Sequence, residues 1–241
     1  MQESARYLPA GDKAIIAEFG NEINEVINGK VRAMSNAIDS GNIKGIIEMI
    51  PTYRSLLVEY DPLEIGYEDL QNQLRKLEEQ MDFAQLPLKK IVEIPVFYGG
   101  ECGPDLEYVA NYHNISVDDV IKDHTSVGYL IYMLGFTPGF PYLGGMSETI
   151  ETPRLKAPRT KIPAGSVGIA GKQTGIYPIQ SPGGWQLIGK TPVKLYDPYR
   201  EPPILLKAGD YIRFVSVEWD DYCKIEEQVE RNAYILTRFT E

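Results

Sequence analysis

Between Gly135 and Pro198 the chain carries eleven of its 22 glycines and nine of its 17 prolines, so the backbone is interrupted every few residues. Glycine opens positive φ, and proline fixes φ and removes an amide donor. Spacing this dense leaves room for short strands and tight turns but not for long helices. The same region is segregated in charge. From Thr152 to Tyr196 there is no Asp or Glu, while Arg154, Lys156, Arg159, Lys161, Lys172, Lys190 and Lys194 give +7. The whole chain is −10, so the remainder carries −17. A constrained backbone with one sign of charge suggests a fixed surface that receives an anion. Basic residues that merely solvate the rim of a turn-rich domain are the structural alternative.

The first 98 residues alternate short strands with amphipathic helices. Lys13–Phe19 reads as a strand stopped by Gly20-Asn21. Ile23, Val26, Ile27, Val31, Met34 and Ile38 recur at mostly helical spacing, and Gly41 is a helix-closing signal. Ile43–Ile50 and Arg54–Tyr60 are strands around a turn at Pro51-Thr52. Leu70, Leu74, Leu77 and Met81 stripe a helix over Tyr67–Asp82, and Lys90–Tyr98 supplies a fourth strand. The resulting β-α-β-β-α-β order predicts a ferredoxin-like domain over residues 1–98.

Tyr98-Gly99-Gly100-Glu101-Cys102-Gly103-Pro104 marks the expected boundary, with a second domain over 99–241. Pro104 is expected to open a helix over Asp105–Tyr112 as its first residue, and Ser116 to cap another over Val117–Lys122. Val127–Leu134, Val167–Ala170, Gln186–Ile188, Val193–Tyr196 and Tyr211–Val217 read as strands. A last helix is expected over Trp219–Arg231. Short strands with such turns predict a closed or nearly closed β-barrel, making the chain α+β overall.

Composition excludes several functions. A net charge of −10 argues against general nucleic-acid binding, and the longest apolar runs fall far short of a membrane span. The opening residues lack the basic and apolar regions of a secretory signal, so a cytoplasmic protein is expected. Cys102 and Cys223 form no disulfide framework and no paired metal motif. His113 and His124 have no companions at ligand spacing. Buried or capping roles suit both better, and no metal is expected.

Ser166–Gly175 is glycine-rich but fails as a phosphate loop. Ser166 stands where a glycine is needed, and Lys172 is followed by Gln173. A nucleotide site within this chain alone is therefore not expected. Ser166 and Ser181 lack the Gly-x-Ser-x-Gly elbow of serine hydrolases. The strongest chemical candidate is the pair Arg154 and Arg159 on the proline-stiffened segment Pro153–Arg159, since planar forks on a stiff backbone suit carboxylate or phosphate. Gln173, Thr174, Tyr177 and Ser181 are candidate neutral contacts to a substrate. Trp185, after Ser181-Pro182-Gly183-Gly184, suits either a pocket wall or a barrel plug. Phe136, Phe140 and Tyr142, presented by glycine and proline, form a candidate partner-docking face. The basic segment has no paired carboxylates, so any catalytic acid or base must come from elsewhere.

Four runs in fixed order carry a resemblance: Gly135–Gly145; Pro153-Arg154 with Pro163–Val167; Ala170–Pro178; and Ser181–Trp185. With Tyr98-Gly99-Gly100, Gly103–Leu106 and His124-Thr125, they are similar to the KipI family, the B subunits of 5-oxoprolinase, also described as allophanate hydrolase subunit 1-like. The resemblance runs over nearly the whole chain. It implies an α/β N-terminal domain followed by a cyclophilin-like β-barrel. It further implies a non-autonomous subunit of an ATP-dependent 5-oxoprolinase, which opens 5-oxo-L-proline to L-glutamate, with subunits C and A as partners and ATP used by the assembled complex. Which residues act is not part of the resemblance. Two alternatives stand beside it. One is a regulatory protein that inhibits a sensor histidine kinase. The other is a piece of a biotin-dependent urea carboxylase, although no biotinyl Met-Lys-Met sequence is present.

Overall fold

The computed structural model describes residues 4–81 and 89–241. The chain divides into two compact units, Met1–Pro87 and Leu88–Glu241.

In the first unit, β1 (Arg6–Pro9) and β2 (Ala14–Glu18) form a hairpin, followed by α1 (Glu25–Gly41), β3 (Ile46–Pro51), β4 (Ser55–Tyr60) and α2 (Tyr67–Gln80). The strands form one antiparallel sheet in the order β1-β2-β4-β3. β4 alternates strictly: Leu56, Val58 and Tyr60 are buried, the residues between them only partly so. The buried row packs on Val31, Met34 and Ile38 of α1 and Leu70 and Leu74 of α2. Asn24 caps α1 by accepting the Ile27 amide at 2.9 Å. The helix ends one residue later than expected. Gly41 is its last residue, and Asn42 takes the left-handed conformation at φ 48°. Ile23 and Val26, expected on the packing stripe, are 60% and 62% exposed. Ile23 precedes the cap, and the buried face begins only at Asn28.

The second unit begins with β5 (Lys90–Tyr98), α3 (Leu106–His113), α4 (Val117–Thr125), β6 (Gly128–Leu134) and β7 (Pro141–Gly144). A 3-10 turn at Glu148–Ile150 precedes β8 (Arg159–Ile162), β9 (Ser166–Ala170), β10 (Gln173–Ile176), β11 (Ser181–Gly183) and β12 (Gln186–Lys190). Then come β13 (Tyr211–Ser216), α5 (Trp219–Glu230) and β14 (Arg238–Thr240). One sheet runs β10-β9-β12-β5-β13-β6-β7, with β14 also on β5 and a separate pair β8–β11. Its two ends approach each other. A Cβ on Gly175 of β10 would lie 3.3 Å from the Pro141 carbonyl of β7, so the sheet curls into a nearly closed barrel.

Lys90–Tyr98 is therefore not the fourth strand of the first unit. β1 takes that edge, giving a β-β-α-β-β-α order, and the expected boundary after Tyr98 falls before β5 instead. Burial supplies the reason. Ile91, Val92, Ile94, Val96 and Tyr98 are all buried, so both faces of β5 need cover. β5 finds it by pairing parallel with β13 and antiparallel with β12 and β14. Val193–Tyr196 is likewise not a strand. Val193 and Leu195 are buried, but only an isolated bridge joins Tyr196 to Ile204. Pro104 stands outside α3, whose N-cap is Asp105. Ser116 caps α4 as expected, within a reciprocal box with Asp119. Among the described residues no helix is long and apolar enough to cross a membrane.

Candidate functional site

The acid-free segment does not stay acid-free in space. Arg159 Nη2 donates to Asp105 Oδ1 at 2.7 Å, and its Nη1 donates to the Trp185 carbonyl at 3.2 Å. Lys172 pairs with Glu148 at 3.1 Å. Lys190 and Lys194 line a cavity of about 170 Å³ with Glu226 and Glu230 of α5. Among the described residues, Arg154, Lys156 and Lys161 are exposed and have no ion-pair partner. Of the two arginines expected to act together, only Arg154 is open to an incoming anion. Asp105 was the residue the charge count missed, because it lies 54 positions upstream of Arg159.

The segment bearing Arg154 is laid across the turn before β12. Gln186 Nε2 donates to the Pro153 carbonyl at 2.9 Å, and the Leu155 amide donates to the Gly184 carbonyl at 2.7 Å. These contacts flank Arg154 on both sides and fix its backbone. Its guanidinium acts on the nearby Tyr177 hydroxyl: burial pushes the phenol up to about 12, and the charges of Arg154 and Arg159 oppose that rise.

Most neutral contact candidates are built into the fold. Tyr177 and Trp185 are buried with Phe140, Ile162, Ala170 and Leu187 in an aromatic cluster, which makes Trp185 part of the packing rather than a pocket wall. Phe140 meets Tyr177 and Trp185 edge-on at 5.6 Å each. The glycines permit this closure. A Cβ on Gly183 would sit 2.3 Å from the Tyr177 hydroxyl, and one on Gly175 3.1 Å from the Trp185 ring. Ser181 is buried and Gln173 half-buried. Among the described residues, the buried Ser181 Oγ and Gln186 Oε1 have no hydrogen-bond partner.

Thr174 belongs to a different place, the barrel interior. Its Oγ1 donates to the Gly168 carbonyl at 3.1 Å and so accepts from His124 Nε2 at 2.8 Å. That leaves His124 Nδ1 to accept from the Tyr98 hydroxyl at 2.7 Å. The chain of donors fixes a neutral, Nε2-protonated imidazole. Burial lowers its pKa to about 3, and Phe214 stacks on the ring at 4.4 Å. Thr174 is thus not a substrate contact. His113 is half-buried and bonds the Glu151 carbonyl at 3.0 Å. Among the described residues, no cluster of three or more His, Cys, Asp and Glu side chains is placed to hold a metal.

The docking face divides as well. Phe140 is buried and Tyr142 half-buried, whereas Phe136 is 66% exposed with φ of 61°. A bulky residue in the left-handed region is strained, so this loop holds an exposed ring in a costly conformation.

Residues 5–206 match the carboxyltransferase domain, subdomain C and D. The chain belongs to that family. It is 48% identical to the B subunit of 5-oxoprolinase from Bacillus subtilis (strain 168), over 90% of this chain and 95% of that protein. Among solved structures, TTHA0988 superposes with a TM-score of 0.76 at 38% identity, covering 86% of this chain and 40% of that one. This chain therefore spans about two fifths of that larger one. The Kluyveromyces lactis urea carboxylase shares the fold, with a TM-score of 0.77 at 23% identity over 98% of this chain and 24% of that chain.

Proposed function

We propose that the chain is the B subunit of an ATP-dependent 5-oxoprolinase, which opens the lactam of 5-oxo-L-proline to L-glutamate while ATP becomes ADP and phosphate. The observation that carries this reading is the 48% identity to a 5-oxoprolinase B subunit along nearly the full length of both chains. The barrel is read as cyclophilin-like. The first unit is read as a ferredoxin-like arrangement whose edge strand comes from the N-terminal side. ATP is used by the assembled complex, a division of labour supported by the lack of a phosphate loop in this sequence.

Within this division of labour Arg154 is the anion contact. Its guanidinium is exposed, uncompensated among the described residues and held on a backbone bonded at both neighbours. The substrate offers a carboxylate, and phosphorylation of the lactam oxygen adds further negative charge. Phe136 is the ring offered to another subunit of the complex.

The reading is tested by co-expressing the chain with candidate subunits A and C and following glutamate formation from 5-oxoproline and ATP. Turnover that requires all three chains is the expected result. A stable three-chain complex that leaves both substrates unchanged would overturn it and favour the kinase-binding alternative.

A further inference from the structure

Asp105 occupies the N-cap of α3, yet its carboxylate makes no cap hydrogen bond to the helix. It turns instead to two other elements. Oδ1 accepts from Arg159 of β8 at 2.7 Å, and Oδ2 accepts the Leu187 amide of β12 at 2.6 Å. Both contacts are short and charge-assisted, and the Asp105 side chain is only 13% exposed, so solvent screens the pair weakly. Arg159 extends the tie to the Trp185 carbonyl. One carboxylate thereby joins α3, the start of β8 and the start of β12. The segment Pro153–Arg159 is held at its other end by the Pro153–Gln186 and Leu155–Gly184 hydrogen bonds. Arg154 lies between those last two contacts and makes no ion pair of its own among the described residues.

We propose that Asp105 is a positioning residue: through Arg159 it clamps Pro153–Arg159 onto Gly184–Leu187 and so fixes where Arg154 meets the substrate carboxylate. The role at the substrate rests on the 5-oxoprolinase reading; the clamp itself does not. Asp105→Asn keeps an oxygen for the Leu187 amide but turns an N–H₂ toward the guanidinium, which isolates the Arg159 link. Arg159→Lys keeps the cation but loses the fork that spans Asp105 and the Trp185 carbonyl.

Two measurements test this. In the full chain alone, amide hydrogen exchange at Leu155 should quicken by about tenfold or more in both variants, while Tyr129–Ile131 in the barrel core stay as in wild type. Unchanged exchange at Leu155 overturns the clamp. If Asp105→Asn also loosens Tyr129–Ile131, the fold has failed and Arg159→Lys decides. In the assembled complex, Asp105→Asn should raise KM for 5-oxoproline by about tenfold and leave kcat within about twofold. Combined with Arg154→Ala, it should be no worse than Arg154→Ala alone within about twofold. Losses that multiply, or a fall in kcat at unchanged KM, overturn the positioning role. A wild-type complex without turnover sinks the oxoprolinase reading instead, and exchange at Leu155 still decides the clamp.

Discussion

The barrel carries two polar assemblies that differ in kind. In the interior, Tyr98, His124 and Thr174 form a chain in which each hydroxyl and each ring nitrogen has a partner. On the surface, the Arg154 segment has its backbone contacts satisfied while the guanidinium itself is left without an ion pair among the described residues. A closed inventory of donors and acceptors marks a structural network, because nothing remains to meet a ligand. An open charge on a satisfied backbone marks a surface prepared for one.

Acid offers the largest test of that contrast. The folded pKa of His124 is lowered from 6.5 to about 3, so the unfolded chain binds the extra proton between those values. Its contribution is fully present above about pH 6.5 and is lost as pH falls toward the folded pKa, at about 1.4 kcal/mol per pH unit. Urea unfolding at a series of pH values should show this slope, and His124→Leu should remove it. Equal slopes in the two proteins would mean that the ring is hydrated and the interior chain open.

At neutral pH, His124→Leu strands the buried Tyr98 hydroxyl and should cost about 1–3 kcal/mol, with turnover per folded complex unchanged. Lost turnover at full stability would move the interior chain into the catalytic machinery. Arg154→Ala is its mirror image. The kcat/KM of the complex for 5-oxoproline should fall by about tenfold or more, while the melting curve stays within about 0.5 kcal/mol of wild type. An unchanged kcat/KM would discard the anion contact. The smallest effect is at Phe136. Asn tolerates the left-handed conformation, so Phe136→Asn should leave stability within about 0.5 kcal/mol or raise it, yet weaken binding of subunits A and C in a titration. Unaltered binding would leave the exposed ring without a docking role.

Features set by short-range physics are legible in the sequence. The Ser116 cap, the α2 stripe at Leu70 and Leu74 and a strand ending at Tyr60 follow from neighbours a few residues apart, and all appear as expected. The candidate site was legible only in part. Arg154 emerged as exposed, whereas Thr174, Tyr177, Ser181 and Trp185 were enclosed. The site's glycines let the backbone close over those side chains, as at Gly183 against Tyr177.

By itself the sequence determined the turn-rich strands of the second unit, the two amphipathic helices of the first and a family resemblance written in contiguous motifs. Those features depend on backbone freedom and on periodicity, both of which are properties of short stretches. Tertiary structure alone decided which sheet received Lys90–Tyr98, since buried apolar residues fit any sheet that can cover both faces. It also decided which charges remained open. Charge can be counted along a chain, but its compensation acts through space, and Asp105 reaches Arg159 across 54 positions of sequence and 2.7 Å of structure.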